Sequence, residues 1–82
     1  AVYNPSVTRF YVQVGAFADI KNAENLSDNV ASMGRTEISL VNRGVQRLYR
    51  VRLGPFANRK VAEEKSKNLI RNGIKSAEVL ED

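Results

Sequence analysis

The 82-residue sequence contains no histidine, no cysteine and no tryptophan. Without histidine it lacks the commonest general base and the commonest metal ligand, so any catalysis would depend on carboxylates, lysine or tyrosine. Without cysteine it can form neither disulfides nor thiolate metal sites. These absences favour a non-catalytic binding domain over an enzyme, and we expect neither a cofactor nor a metal.

Long hydrophobic runs are missing as well. No segment reaches the roughly 20 apolar residues of a membrane span, and residues 1–8 lack the basic start and apolar middle of a signal peptide. Because the chain does not begin with Met, we interpret it as part of a longer protein, in which a membrane anchor could lie upstream. Residues 1–8 are interpreted as the end of a linker and residues 9–82 as one domain. The net charge of +4 permits an anionic partner without requiring one.

The sequence contains an internal repeat at an offset of 39 residues. VQVGAFADIKNAE, residues 12–24, matches VRLGPFANRKVAE, residues 51–63, so the two pseudo-repeats cover about 9–41 and 46–80. In each, an alternating apolar run is followed by a good helix N-cap, Asp19 or Asn58, and later by a glycine suited to a helix end, Gly34 or Gly73. The pattern predicts helices over about 19–34 and 58–73.

Each predicted helix is followed by another strand, over residues 36–41 and 75–80, and the sequence NRG at 42–44 predicts a turn into the third strand. The order is therefore β-α-β-β-α-β. It predicts an α+β, ferredoxin-like (RNP-like) sandwich with a four-stranded antiparallel sheet and both helices on one face. The right-handed crossover rule places strands one and three in the middle.

The first strand, RFYVQVGAF (residues 9–17), is predicted to end in a tight glycine turn. Alternation directs Phe10, Val12 and Val14 to the core and Tyr11 and Gln13 to the face without helices. The same rule gives that open face further members on the other strands: Leu48, Arg50, Arg52, Glu37, Ser39, Val41 and Glu78. Such a face is often merely solvated, but apolar side chains beside an amide and guanidinium groups suit an extended polymer ligand.

Three alternative functions make different demands on this face. An RNA-recognition motif would stack bases on several aromatic rings, whereas only Tyr11 is expected here. A protein–protein interaction domain could use the same face. A glycosidase would need two carboxylates across a cleft, but Glu37 and Glu78 are expected at opposite edges of the sheet. RNA binding and protein binding stay open as alternatives, and no catalytic residue is assigned.

The segments YVQVGAF and YRVRLGPFANRKVAEE resemble the SPOR domain, a module of bacterial cell-envelope and division proteins. The resemblance covers about residues 9–80. It implies a βαββαβ fold and binding to septal peptidoglycan, with a preference for denuded glycan strands that have lost their stem peptides. It also implies a parent such as a rare-lipoprotein-A-like or cell-division envelope protein, located in the periplasm or cell envelope at the division septum.

The resemblance also implies which residues contact the glycan. The Gln of the family's Q-V-G motif is Gln13, and the strand-three Arg is Arg50. The sequence departs from the family at Ala16, where Ser is frequent, at Leu48, where a Trp or another large side chain is frequent, and at Glu78, where an aliphatic residue is frequent.

Physical chemistry agrees with such a ligand. Loss of the stem peptide leaves a free lactyl carboxylate on each N-acetylmuramic acid, which a guanidinium can bind through two hydrogen bonds. Arg50 and Arg52 are the candidates, Gln13 can bind an acetamido group, and Tyr11 and Leu48 can lie against a pyranose ring. We expect a monomer that binds glycan strands and not nucleic acid. The predicted glycan contacts are Tyr11, Gln13, Ala16, Leu48, Arg50, Arg52 and Glu78.

Overall fold

The computed structural model describes residues 9–81, so the segment interpreted as a linker, 1–8, lies outside the described residues. Four strands and two helices follow one another in the predicted order β-α-β-β-α-β. A single 3₁₀ turn, Ala31–Met33, follows the first helix. The elements are β1 (Phe10–Phe17), α1 (Ile20–Val30), β2 (Thr36–Arg43), β3 (Gln46–Phe56), α2 (Arg59–Arg71) and β4 (Glu78–Glu81).

The strands form one antiparallel sheet in the order β2-β3-β1-β4. This confirms both the predicted fold class and the central position of strands one and three. Neither helix of the described residues is long and apolar enough to cross a membrane.

Both helices begin at the predicted caps. The side chain of Asp19 accepts a hydrogen bond from the backbone N–H of Lys21 at 2.8 Å, and that of Asn58 accepts from Lys60 at 2.7 Å. In each case the cap satisfies an amide that has no partner within the helix. The helices end earlier than predicted, at Val30 and Arg71.

The core lies between the helices and one face of the sheet, as alternation predicts. The fully buried side chains come from both central strands and both helices: Val12, Val14, Val51, Leu53, Ala23, Val30, Ala62 and Leu69. Three large apolar side chains of the helices are 40–48% exposed, namely Ile20, Val61 and Ile70. In α2 the buried stripe includes a polar residue, Ser66, whose hydroxyl donates to the carbonyl of Ala77.

The predicted glycine turn at the end of the first strand is wrong. β1 continues through Gly15 to Phe17, because a β-bulge absorbs one extra residue. Gln13 pairs with Arg52, but Gly15 pairs with Val51, so Val14 has no partner of its own on β3. Its carbonyl oxygen instead accepts a hydrogen bond from the hydroxyl of Ser76 at 2.9 Å.

The hairpin between β2 and β3 is also longer than predicted. β2 extends to Arg43, which pairs with Gln46, and only Gly44 and Val45 form the loop. Gly44 has a φ of +59° and no non-glycine residue of the described chain has a positive φ, which is the pattern of a type II′ hairpin turn. β4 is shorter than predicted and begins at Glu78.

Candidate functional site

The face of the sheet opposite the helices is built from side chains that alternate with the core residues. The pairing register assigns them to rows that cross the strands. The rows are ordered here from the one farthest from the β2–β3 hairpin to the one at its tip. They are Tyr11–Leu80, Glu37–Arg52–Gln13–Glu78, Ser39–Arg50–Ala16, Val41–Leu48 and Arg43–Gln46.

A shallow cleft of about 120 Å³ occupies the half of this face nearer the hairpin. Its walls combine an amide, two guanidinium groups and three apolar side chains. The lining residues are Gln13, Ala16, Val41, Arg43, Leu48 and Arg50. Four of the seven predicted contacts therefore lie together around one cleft: Gln13, Ala16, Leu48 and Arg50.

The bulge in β1 places Ala16 in this cleft. Under strict alternation Gly15 would share the face of Gln13, and Ala16 would point into the core. The extra residue reverses the alternation, so that Ala16 lies opposite Arg50 and Phe17 opposite Tyr49. A methyl group beside a guanidinium leaves space above the strand, and this space is part of the cleft.

Arg50 offers unused hydrogen-bonding capacity next to this space. Its Nε is buried and has no hydrogen-bond partner, and the same is true of the hydroxyl of Ser39, the residue opposite Arg50 on β2. Within the described part of the chain, neither Arg50 nor Arg43 forms an ion pair. The Nε of Arg52, outside the cleft, is likewise buried without a partner, so what distinguishes Arg50 is its place in the cleft wall without an acidic partner.

In the half of the open face farther from the hairpin, the side chain of Arg52 contacts both Tyr11 and Glu37. The guanidinium of Arg52 lies over the ring of Tyr11, 4.1 Å from its centroid, and also forms a hydrogen bond and ion pair with Glu37. Tyr11 is on the predicted face but only 6% exposed. Tyr11 and Arg52 thus bind each other and do not line the cleft.

The contact also affects the charge of Glu37. The hydrogen bond from Arg52 holds the pKa of the Glu37 carboxyl below its ordinary value, and the positive charges of Arg52, Arg50 and Arg35 act in the same direction against the opposing effect of partial burial. Glu37 is therefore ionised at neutral pH, and its ion pair with Arg52 is intact there.

The last predicted contact, Glu78, lies on β4 opposite Gln13, exposed at the edge of the sheet and outside the cleft. Two lining residues were not predicted as contacts, Val41 and Arg43. Arg43 was missed because the turn was placed at Asn42. The signal was present, since continued alternation from Glu37 through Ser39 and Val41 leads to Arg43.

A second cavity, of about 360 Å³, lies on the opposite side of the sheet between the helices. It has no charged lining residue: its walls are Leu26, Asn29, Val30, Ser32, Met33, Leu69, Asn72 and Ile74. It therefore has no cationic side chain to pair with an anionic polymer. Among residues 9–81, no three potential carboxylate ligands come close enough together to hold a metal ion.

The chain is similar to known proteins over almost its whole length. The model of the SPOR domain family matches residues 6–80. The crystal structure of the RlpA SPOR domain from Pseudomonas aeruginosa is 30% identical, with a TM-score of 0.79, covering 87% of this chain and 96% of that one. The solution structure of the peptidoglycan binding domain of the B. subtilis cell wall lytic enzyme CwlC is 24% identical, with a TM-score of 0.73, covering 100% and 99%.

No curated protein matches the sequence significantly. The family model nevertheless accounts for both repeats and for every strand and helix up to Leu80. This chain therefore belongs to the SPOR domain family.

Proposed function

We propose that this domain binds peptidoglycan through the cleft on its open sheet face and prefers denuded glycan strands. The observation that carries the proposal is the unpaired guanidinium of Arg50, beside the amide of Gln13, in a cleft with apolar walls. Membership of the SPOR family supports it, and the CwlC domain, described as peptidoglycan-binding, has the same fold.

The cleft suits the groups that a denuded strand exposes. Arg50 can bind a lactyl carboxylate, and the amide of Gln13 can bind acetamido and hydroxyl groups. Leu48 and Val41 offer apolar surface to a pyranose ring. Arg43, at the hairpin end of the cleft, provides a second unpaired cation for a further carboxylate along the strand. In strands that keep their stem peptides the lactyl carboxyl group is an amide, so this charge–charge contact is absent.

We propose that the domain binds without hydrolysing its ligand. Glu37 on β2 and Glu78 on β4 lie in the same row but on the two outer strands. Three strand spacings separate their backbones by about 14 Å. Neither side chain lines the cleft, and Glu37 is paired with Arg52, whereas glycosidases hold two carboxyl groups on either side of the bond they cleave. The role we assign is to localise a larger protein of the cell envelope to glycan at the division septum.

The test is a pull-down of the purified domain with bacterial sacculi, with and without amidase treatment. We expect more domain to bind after stem peptides are removed. Substitution of both Gln13→Ala and Arg50→Ala should abolish this gain. The matched control is Asn25→Ala with Arg71→Ala, which removes one amide and one guanidinium group from the exposed helix side and should bind as the wild type does.

Two results would contradict the proposal: binding that does not increase after amidase treatment, or binding that survives the Gln13 and Arg50 substitutions. Binding to single-stranded RNA in preference to sacculi would favour the nucleic-acid alternative. Tyr11, the one aromatic side chain of the described open face, is covered by Arg52, so we expect that preference to be absent. A stable complex with a division protein that forms without glycan would favour the protein-binding alternative.

A further inference from the structure

Arg52 and Arg50 are neighbours on the same face of β3, yet their surroundings differ. The side chain of Arg52 is 13% exposed, covers the ring of Tyr11 and is paired with Glu37. Arg50 lines the cleft and has no acidic partner in the described chain. The difference originates on β2, where Glu37 lies opposite Arg52 and the uncharged Ser39 lies opposite Arg50.

Without Glu37, the face would present a different surface. Arg52 would keep its position on β3 but lose the acceptor that holds its guanidinium near the outer strand. The flat ring of Tyr11 would then lose its cover when Arg52 turned towards the cleft. A face with three free guanidinium groups and an accessible ring is what polyanions with flat bases bind, since phosphates pair with the cations and bases stack on the ring.

We propose that Glu37 is a specificity-determining residue: by binding Arg52 it withholds one guanidinium and the Tyr11 ring from ligands. The cleft is then left with Arg50 and Arg43, and it selects the glycan over other polyanions. The claim that the cleft selects glycan rests on the proposed function. The claim that Glu37 lowers the affinity for other polyanions rests on the contacts of Arg52 alone.

Glu37→Gln tests the inference, and Glu78→Gln is its matched control. Both substitutions remove one negative charge from the same row of the same face, but only the first releases Arg52. An oligothymidylate serves as the polyanion, and amidase-treated glycan serves as the second ligand. Affinities are measured over a range of salt concentrations.

We expect Glu37→Gln to bind the oligothymidylate about fivefold more tightly, the size of effect that exposed charges usually give. Its salt dependence should also be steeper by about 0.7 in log–log slope, which corresponds to one more phosphate contact on a single strand. Glu78→Gln should leave the slope unchanged. The double substitution Glu37→Gln with Arg52→Gln should return the affinity to the wild-type value. Ring signals of Tyr11 in NMR spectra should shift in Glu37→Gln and not in Glu78→Gln.

Equal gains in Glu37→Gln and Glu78→Gln would overturn the inference, because net charge would then explain both. No gain in Glu37→Gln would also overturn it. If the wild type fails to bind denuded glycan, the proposed function fails, while the oligothymidylate comparison still decides the role of Glu37. If glycan binds and the ratio of glycan to oligothymidylate affinity is the same in wild type and Glu37→Gln, only the inference about Glu37 fails.

Discussion

Gly15 and Gly54 are equivalent residues in the two repeats, but the structure requires glycine at them for different reasons. A Cβ at Gly15 would lie 2.9 Å from a terminal methyl of Leu26 and 3.1 Å from the ring of Phe17. A Cβ at Gly54 would lie 3.0 Å from the backbone oxygen of Phe10, and Gly54 has a φ of +133°. The first obstacle is made of side chains, which can move, whereas the second involves the backbone itself.

We predict that Gly15→Ala destabilises the domain by roughly 1–2 kcal/mol, the usual cost of an overpacked core. Gly54→Ala should cost more, about 2–4 kcal/mol, because backbone strain at positive φ is added to a contact that cannot relax. Urea unfolding of both variants gives the two free energies. Equal losses would show that the repeats constrain these glycines alike, and a larger loss in Gly15→Ala would contradict the greater obstacle that we assign to Gly54.

At this scale the sequence predicts which face a side chain occupies better than it predicts what covers that side chain. Alternation places Tyr11 on the open face, where it lies. Its cover could not be predicted, because the side chain that lies over it, Arg52, also pairs with Glu37 on a different strand. The position of Ala16 was predicted only through the family motif, since alternation alone would have placed it in the core.

The two helices show how local signals define elements. Each begins directly after a residue whose side chain accepts a hydrogen bond from the backbone two residues later. Such caps act locally, so both starts could be predicted from the sequence. The end of β1 could not, because the bulge at Val14 depends on pairing with a neighbouring strand.

We predict that Asp19→Ala and Asn58→Ala each lower the free energy of unfolding by about 1 kcal/mol, because each leaves a helix amide without its cap. The control is Asn22→Ala, an exposed asparagine within α1. That change should be neutral or slightly stabilising, since alanine has the higher helix propensity. Thermal and urea unfolding of the three variants check this. A control as destabilised as the cap variants would show that loss of a polar surface group, and not of the cap, is responsible.

For the whole molecule, the functional question is how its charge is divided between the two faces of the sheet. The chain carries a net charge of +4, and basic side chains occur on the helices as well as on the sheet. A ligand attracted by net charge alone would bind on either side, whereas a ligand bound in the cleft would depend on the arginines of the open face. Arg43 and Arg47 separate these cases, because they lie near each other on the β2–β3 hairpin and alternation directs them to opposite faces.

We predict that Arg43→Gln weakens binding to denuded glycan about fivefold, because it removes one of the two unpaired guanidinium groups of the cleft. Arg47→Gln removes the same charge and should leave the affinity within twofold of the wild-type value. Raising the salt concentration should reduce the difference between the two variants, since exposed charge contacts are screened. Sedimentation with amidase-treated sacculi at several salt concentrations measures both effects. Equal losses in the two variants would mean that the glycan responds to the overall charge of the hairpin and that the cleft does not select it.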